Sequence, residues 1–130
     1  MYEYDPGERR AKHRWNNDYA GFETDEGLQV GKYPSSIDRV RAQALLNDGI
    51  RWHNPAIDSE HPQAIFAVEK GVVYKATPAI PGRSYHGFPW KGPVPRNILR
   101  QLRDVASTAG SEAEFEAWKK KHIVSARPTG

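Results

Sequence analysis

Apolar positions in the middle of the chain recur first with a helical period and then with a strand period. After Ser35, which with Asp38 fits an N-terminal cap, the apolar residues 37, 40, 44 and 45 keep helical spacing until Asn47-Asp48-Gly49. This pattern predicts a first helix. Ile50–Trp52 then predicts a short strand, and the polar, proline-containing residues 53–63 predict a loop.

The next segment alternates apolar and polar residues on both sides of a two-residue turn signal. Ala64–Glu69 and residues 72–77 are rich in β-branched and aromatic side chains and flank Lys70-Gly71, which predicts a tight β-hairpin. Residues 78–95 contain five prolines and three glycines. That density predicts a stiff, irregular loop.

Two further helices are predicted near the C-terminus. Pro95 suits a first helical turn and Gly110 a helix end, while Ser111 and Glu114 fit a capping box before a last helix with Phe115 and Trp118 facing the core. The expected fold class is therefore α+β, with a small antiparallel sheet of about three strands, two or three packed helices and a long Pro/Gly-rich loop. The first of these two helices would bury one stripe, formed by Ile98, Leu99, Leu102, Val105, Ala106 and Ala109.

Charge divides the chain into two parts. Residues 1–27 carry a net charge of −3 and contain no Ile, Val or Leu, whereas residues 28–130 carry +6. A segment so poor in aliphatic side chains does not bury enough apolar surface to offset the entropy of ordering it. We therefore expect a flexible or extended N-terminal arm over residues 1–27, a single domain over 28–124 and a short tail over 125–130.

Composition excludes several functional classes. The 130 residues contain no cysteine, so disulfides, zinc–thiolate sites and thiol nucleophiles are excluded, and a cytoplasmic location is favoured. We expect no membrane span or signal peptide, because no apolar run is long enough and Met1 precedes acidic and polar residues. Neither phosphate-loop pattern occurs, and Asp58, Glu60 and His61 lack regular ligand spacing, so no cofactor and no metal are expected.

The stretch from Lys70 to Arg103 contains seven basic residues and no acid. The same stretch carries flat rings that can stack on bases, so the pattern indicates a polyanion partner, with RNA favoured over DNA. A solvated basic face is the alternative explanation. The residues predicted to contact nucleic acid are Arg83, Trp90, Lys91, Arg96, Arg100 and Arg103.

Within this stretch, an imidazole, a phenol and cations occur a few residues apart. Metal-independent cleavage of RNA needs a base, an acid and cations around the phosphate. His86 is the first candidate, with Tyr85 beside it and either His53 or His61 as a second ionisable group. A ribonuclease of the toxin type is therefore one hypothesis, and a structural role for a loop histidine is the alternative.

A protein-interaction module is the competing function. Aromatic and arginine side chains often dominate protein interfaces, and Tyr85, Phe88, Trp90 and Arg83 would fill that role here. The two functions differ in their response to salt, because only phosphate contacts weaken steeply as salt rises.

Two resemblances add to these expectations. The tract Gly71-Val72-Val73-Tyr74, Ser84 to Trp90 and the helix after Pro95-Arg96 resembles a group of small uncharacterised bacterial proteins, which implies a shared α+β unit and no activity. The N-terminal residues 2–10, YEYDPGERR, are similar to a tyrosine–aspartate repeat unit of bacterial Rhs-type proteins. The C-terminal tips of those proteins are often toxin domains, which implies a toxin-like nuclease.

Overall fold

A computed structural model describes residues 2–4, 21–25, 28–32, 37–80 and 82–126, with only the backbone described for 21–25, 28–32 and Ala126. The predicted cap at Ser35, most of the predicted arm and residues 127–130 of the predicted tail lie outside the described residues.

The described residues form three helices and nine strands. The helices are α1 (Arg39–Asp48), α2 (Arg96–Thr108) and α3 (Glu112–His122). The strands are β1 (Glu3–Tyr4), β2 (Gly21–Asp25), β3 (Leu28–Lys32), β4 (Ile50–Trp52), β5 (Ala64–Glu69), β6 (Val72–Ile80), β7 (Ser84–Pro89), β8 (Gly92–Pro95) and β9 (Ile123–Ala126).

The central element is a five-stranded mixed sheet in the order β1-β7-β6-β5-β4. Strands β4 to β7 pair in antiparallel fashion, while β1 pairs in parallel with β7. The α+β class is thus confirmed, but the prediction of about three strands was too small. The two strands that it missed are β7, which lies in the proline-rich segment, and β1, which lies in the acidic N-terminal segment.

The prediction of an irregular loop over residues 78–95 was wrong, because its prolines sit where a strand tolerates them. Pro89 ends β7 opposite Tyr74, and the next residue, Trp90, donates its N–H to the carbonyl of Val73 at 2.8 Å. Since successive N–H groups of a strand point in opposite directions, the donor that Pro89 lacks would face away from β6. The register shift between Pro78 and Ile80 absorbs the other proline of this pair of strands.

The predicted hairpin is confirmed as β5 and β6, joined by the two-residue turn Lys70-Gly71. Both turn residues have positive φ, 50° and 82°, as a type I′ turn requires. A Cβ at Gly71 would lie 2.4 Å from the Cβ of Glu114, so the turn also supports the first turn of α3.

The first predicted helix is confirmed, but the apolar residues whose spacing predicted it are not the ones that it buries. Asp38 caps α1 by accepting the N–H of Arg41 at 2.8 Å. Ala42 and Leu46 are buried, whereas Val40 is 78% exposed. The helix turns this other side inward because it packs on β5 and, at the same time, on β1.

Alternation along the strands gives the sheet two covered faces. Ala64, Phe66 and Val68 of β5 pack with α2 and α3 in the larger core, and Ile65 packs with Leu46 of α1 in the smaller one. The predicted apolar stripe of α2 buries all its members except Val105 and Ala109. Ser111 forms no side-chain cap on α3; its hydroxyl donates to the carbonyl of Ala106 at 3.3 Å instead.

Two small sheets complete the fold. Strands β8 and β9 pair in parallel, and β2 and β3 form an antiparallel hairpin, of which β3 lies near β7. That hairpin spans residue 27, where the charge pattern placed the end of the arm. In the part of the chain that the structure describes, no helix has the length and apolar character needed to cross a membrane.

Candidate nucleic-acid interface

Three rings line one face of β7 because the strand places every second side chain on the same side. His86, Phe88 and Trp90 are half-buried, and their ring centroids are 5.8 and 6.0 Å apart. We call these three residues the aromatic row. They lie on the sheet face that carries α2 and α3, where α2 packs mainly on β4 and β5 and α3 on β6. The row is therefore the outer, partly exposed margin of this face.

Lys75 of β6 places a cation against the aromatic row. Its Nζ lies 4.0 Å from the ring centroid of Trp90 and 5.9 Å from that of Phe66. Burial lowers the pKa of Lys75, because the ammonium is partly removed from water. Neither β6 nor β7 contains an acidic residue, so the cation is not neutralised from its own strands.

The end of α3 extends the row. The indole N–H of Trp118 donates to the carbonyl of Trp90 at 3.1 Å, and the ring of Trp118 lies 4.2 Å from that of His122. The pKa of His122 is lowered by partial burial and by the charges of Lys121 and Lys91. Rings and cations from β6, β7 and α3 thus meet at one end of the sheet.

The three arginines of α2 share one flank of the helix, as their spacing predicts, and they differ in charge pairing. Arg103 donates to the carboxylate of Glu116 at 2.8 and 2.9 Å. Arg96 and Arg100 are exposed and form no ion pair with the described residues. Two of the three charges therefore remain available to an anion.

Arg83 lies at the opposite end of β7 from the row's last ring. It follows the turn after β6, donates its N–H to the carbonyl of Ile80 and is exposed. The six residues of β7 separate it from Trp90, a distance of about 20 Å along the extended chain. The structure does not bring Arg83 together with Lys91 and Arg96.

Tyr85 belongs to the other face of the sheet. Its side chain is fully buried in the smaller core, and its hydroxyl donates to the carbonyl of Pro62 at 2.5 Å. Burial raises the pKa of this phenol to about 12. Since Tyr85 and His86 are consecutive in a strand, their side chains point in opposite directions and do not form one site.

His53 and His86 are also separated. His53 follows β4, which lies three strands from β7 in the sheet. At about 4.8 Å per strand, the backbones of β4 and β7 are about 14 Å apart in the sheet. His61 lies with Tyr85, where its Nδ1 is 3.3 Å from the hydroxyl of Tyr2. The described residues thus place none of the predicted second groups beside His86.

Metal binding finds no support among the described residues. They contain no group of three or more histidine or carboxylate side chains placed to hold one ion.

Known proteins offer no guide to the site. Comparison with protein-family models, curated proteins and solved structures gives no match.

The residues predicted to contact nucleic acid did not include four members of the interface: Lys75, Phe88, Trp118 and His122. Lys75 and Phe88 lie within the predicted basic, aromatic stretch, and Phe88 was assigned to the protein-interaction function instead. The signal for Phe88 was present, since the rings at positions 86, 88 and 90 follow the period of two that marks a strand. The prolines and glycines around them concealed it. The helical spacing predicts that Trp118 faces the core, and it packs against the larger core, but its place beside Trp90 depends on how α3 docks.

Proposed function

We propose that the protein binds single-stranded nucleic acid, with RNA as the first candidate, along the aromatic row and the cations around it. The single observation that carries the proposal is the alignment of three half-buried rings with Lys75, on two strands that contain no acid. Rings in a row on a sheet are a common platform for stacking unpaired bases.

The cations provide the second part of the interface. Lys91 precedes β8 and Arg96 follows it, and Arg100 lies one turn further along α2. These three exposed side chains follow Trp90 closely in the chain. A strand whose bases stack on Phe88 and Trp90 would place its phosphates near Lys75 and Lys91.

Binding is proposed ahead of cleavage. Metal-independent cleavage of RNA requires a proton acceptor and a proton donor near one phosphate. His86 lies in the row, but neither of its predicted catalytic partners stands beside it, because Tyr85 is buried on the opposite sheet face and His53 follows β4. Ribonuclease activity is therefore a measured outcome of the experiment below and not a step of the proposal.

The test is fluorescence anisotropy with a labelled, mixed-sequence RNA of about 12 nucleotides, in EDTA. We expect the affinity to fall steeply as salt is raised from about 50 to about 200 mM. Phe88→Leu should weaken binding by about 5- to 150-fold, because stacking on one ring contributes about 1–3 kcal/mol. A duplex of the same sequence should bind more weakly, since its bases are not available for stacking.

Ile57→Ala is the matched control. Ile57 is 49% exposed and lies in the loop between β4 and β5, whose hydrogen bond to β7 runs through Tyr85, on the sheet face opposite the row. The control should bind RNA like the original protein, and circular dichroism should show both variants folded. Unchanged affinity of a folded Phe88→Leu variant would overturn the proposal. Absence of RNA binding at tens of micromolar would favour the protein-interaction function instead.

A gel of the same samples shows whether the RNA is cleaved. Cleavage that persists in EDTA and disappears in His86→Ala would extend the proposed function to metal-independent hydrolysis. An intact RNA in all samples would leave binding as the whole function.

A further inference from the structure

The N-terminal segment Tyr2-Glu3-Tyr4 lies between β7 and α1, with its two tyrosines packed on the smaller core and Glu3 exposed. Glu3 pairs with Ser84 of β7, and its N–H donates to the carbonyl of Arg83 at 2.9 Å. In an extended chain, the backbone N–H and C=O groups of successive residues point in opposite directions, so those of Tyr2 and Tyr4 point away from β7. These outward groups would meet water if no other element received them.

Gln43 of α1 receives those outward backbone groups. Its side-chain carbonyl accepts the N–H of Tyr4 at 2.7 Å, and its amide nitrogen donates to the carbonyl of Tyr2 at 3.0 Å. The same nitrogen donates to Asn47 at 2.8 Å, which orients the amide. The side chain of Gln43 thus forms the two hydrogen bonds that a further strand would form. Both bonds involve only the backbone of the segment, so they do not depend on its side chains.

The two tyrosines occupy separate positions on the smaller core. The ring of Tyr2 meets that of Tyr85 edge-on, with centroids 4.8 Å apart, and lies under the guanidinium of Arg51 at 5.1 Å. Its hydroxyl is 3.3 Å from Nδ1 of His61. Tyr4 closes an apolar pocket formed by α1 and the sheet, with Leu45, Leu46, Ile65, Ala67 and Ala76 among its lining residues.

We propose that the edge of β7, Gln43 and these two positions form a binding site for extended peptides with aromatic side chains at alternate positions. Residues 2–4 are then its ligand in cis, and a peptide of the same pattern is its ligand in trans. The backbone contacts provide affinity for any extended chain, while the two positions select aromatic side chains, as in other cases of strand addition. A strand of two residues detaches by local opening and leaves the rest of the sheet paired.

The experiment uses the full chain with Tyr2→Ala and Tyr4→Ala together, and a synthetic peptide of the sequence of residues 1–6. The readout is the side-chain amide of Gln43 in two-dimensional NMR. In the double variant this signal should move toward the position of a solvent-exposed amide, and the peptide should return it to its original position. Gln101, exposed on α2 and bonded only within its own helix, is the internal reference and should not move.

Two controls separate site binding from general contact. A peptide with alanine at both tyrosine positions should bind at least tenfold more weakly. Adding Gln43→Ala to the double variant should weaken binding of the original peptide at least tenfold. Because this variant lacks the Gln43 amide, binding is followed by the NMR signals of the β7 backbone amides.

Three results would overturn the proposal: a Gln43 signal unchanged in the double variant, a signal that millimolar peptide does not restore, or equal binding of the two peptides. If the double variant does not fold, Glu3→Pro replaces it, because it removes the N–H that pairs with Arg83 and keeps both tyrosines. The peptide should then restore the Gln43 signal of that variant, and failure to do so would count against the site.

Discussion

At the scale of single residues, two glycines with positive φ show how the surroundings decide the effect of a side chain. Gly71, with φ of 82°, faces the start of α3, where an added Cβ would lie 2.4–2.6 Å from Glu114 and the N atom of Phe115. Gly110, with φ of 77°, joins α2 to α3 and has no atom within 4 Å of that position. Both positions require a backbone conformation with positive φ. Only at Gly71 would an added side chain also clash with neighbouring atoms.

We therefore expect Gly71→Ala and Gly110→Ala to differ in stability. Gly110→Ala should lower the free energy of unfolding by about 1 kcal/mol, the effect of a left-handed conformation alone. Gly71→Ala should lower it by about 3 kcal/mol or more, because α3 must also shift. Urea unfolding followed by circular dichroism measures both. Equal losses would show that α3 does not rest on this turn.

At the scale of elements, Tyr85 joins the loop of residues 53–63 to β7. Its hydroxyl forms a hydrogen bond with the carbonyl of Pro62, which is itself fully buried. Removing the hydroxyl would leave that carbonyl without this donor, and an unsatisfied buried group costs about 1–3 kcal/mol. The loop is thus held to the sheet by one buried phenol.

The stability of this connection should depend on alkaline pH. Folding raises the pKa of Tyr85 from 10.0 to about 12, so the folded state favours the protonated phenol. Its contribution to the free energy of unfolding is complete below about pH 10 and is lost as the pH rises toward 12. Tyr85→Phe should be less stable at pH 7, by about 1–3 kcal/mol, and should lose less stability between pH 10 and 12 than the original protein.

Unfolding curves at pH 7, 10 and 12 measure this difference, with Tyr2→Phe as a control on the same face of the sheet. A Tyr85→Phe variant whose stability declines with pH as steeply as that of the original protein would contradict the assignment.

At the scale of the whole molecule, the distribution of charge decides which arginines interact with a bound strand. Arg100 is exposed and unpaired among the described residues, whereas Arg103, three residues further along α2, is bonded to Glu116 of α3. The two side chains have the same chemistry and lie on the same helix flank. Only the docking of α3 distinguishes them.

The salt dependence of RNA binding should reveal this distinction. For single strands, the logarithm of the affinity falls with the logarithm of salt by about 0.7 per phosphate contact. Arg100→Gln should reduce that slope by about 0.7, while Arg103→Gln should change it less, because Glu116 already compensates its charge. Anisotropy titrations at four salt concentrations measure the slopes. Equal slopes for the two variants would place the phosphates away from α2.

The sequence by itself determined the elements whose signals are local. The hairpin of β5 and β6 follows from alternation around Lys70-Gly71, and α2 follows from its apolar stripe between Pro95 and Gly110. Each of these elements closes its hydrogen bonds within a few residues, so neighbouring side chains are sufficient to specify it.

Only the tertiary structure decided the remainder, because it depends on partners distant in sequence. β7 is a strand despite its prolines and glycines, since β6 offers a paired edge and Pro89 needs no donor on its outer side. β1 is ordered by an amide of α1 about 40 residues away. Pairing of β7 with β6 turns Tyr85 toward the smaller core and His86 toward the opposite face. Docking of α3 sets Trp118 beside Trp90. Which rings and cations share a face is therefore a property of the folded sheet.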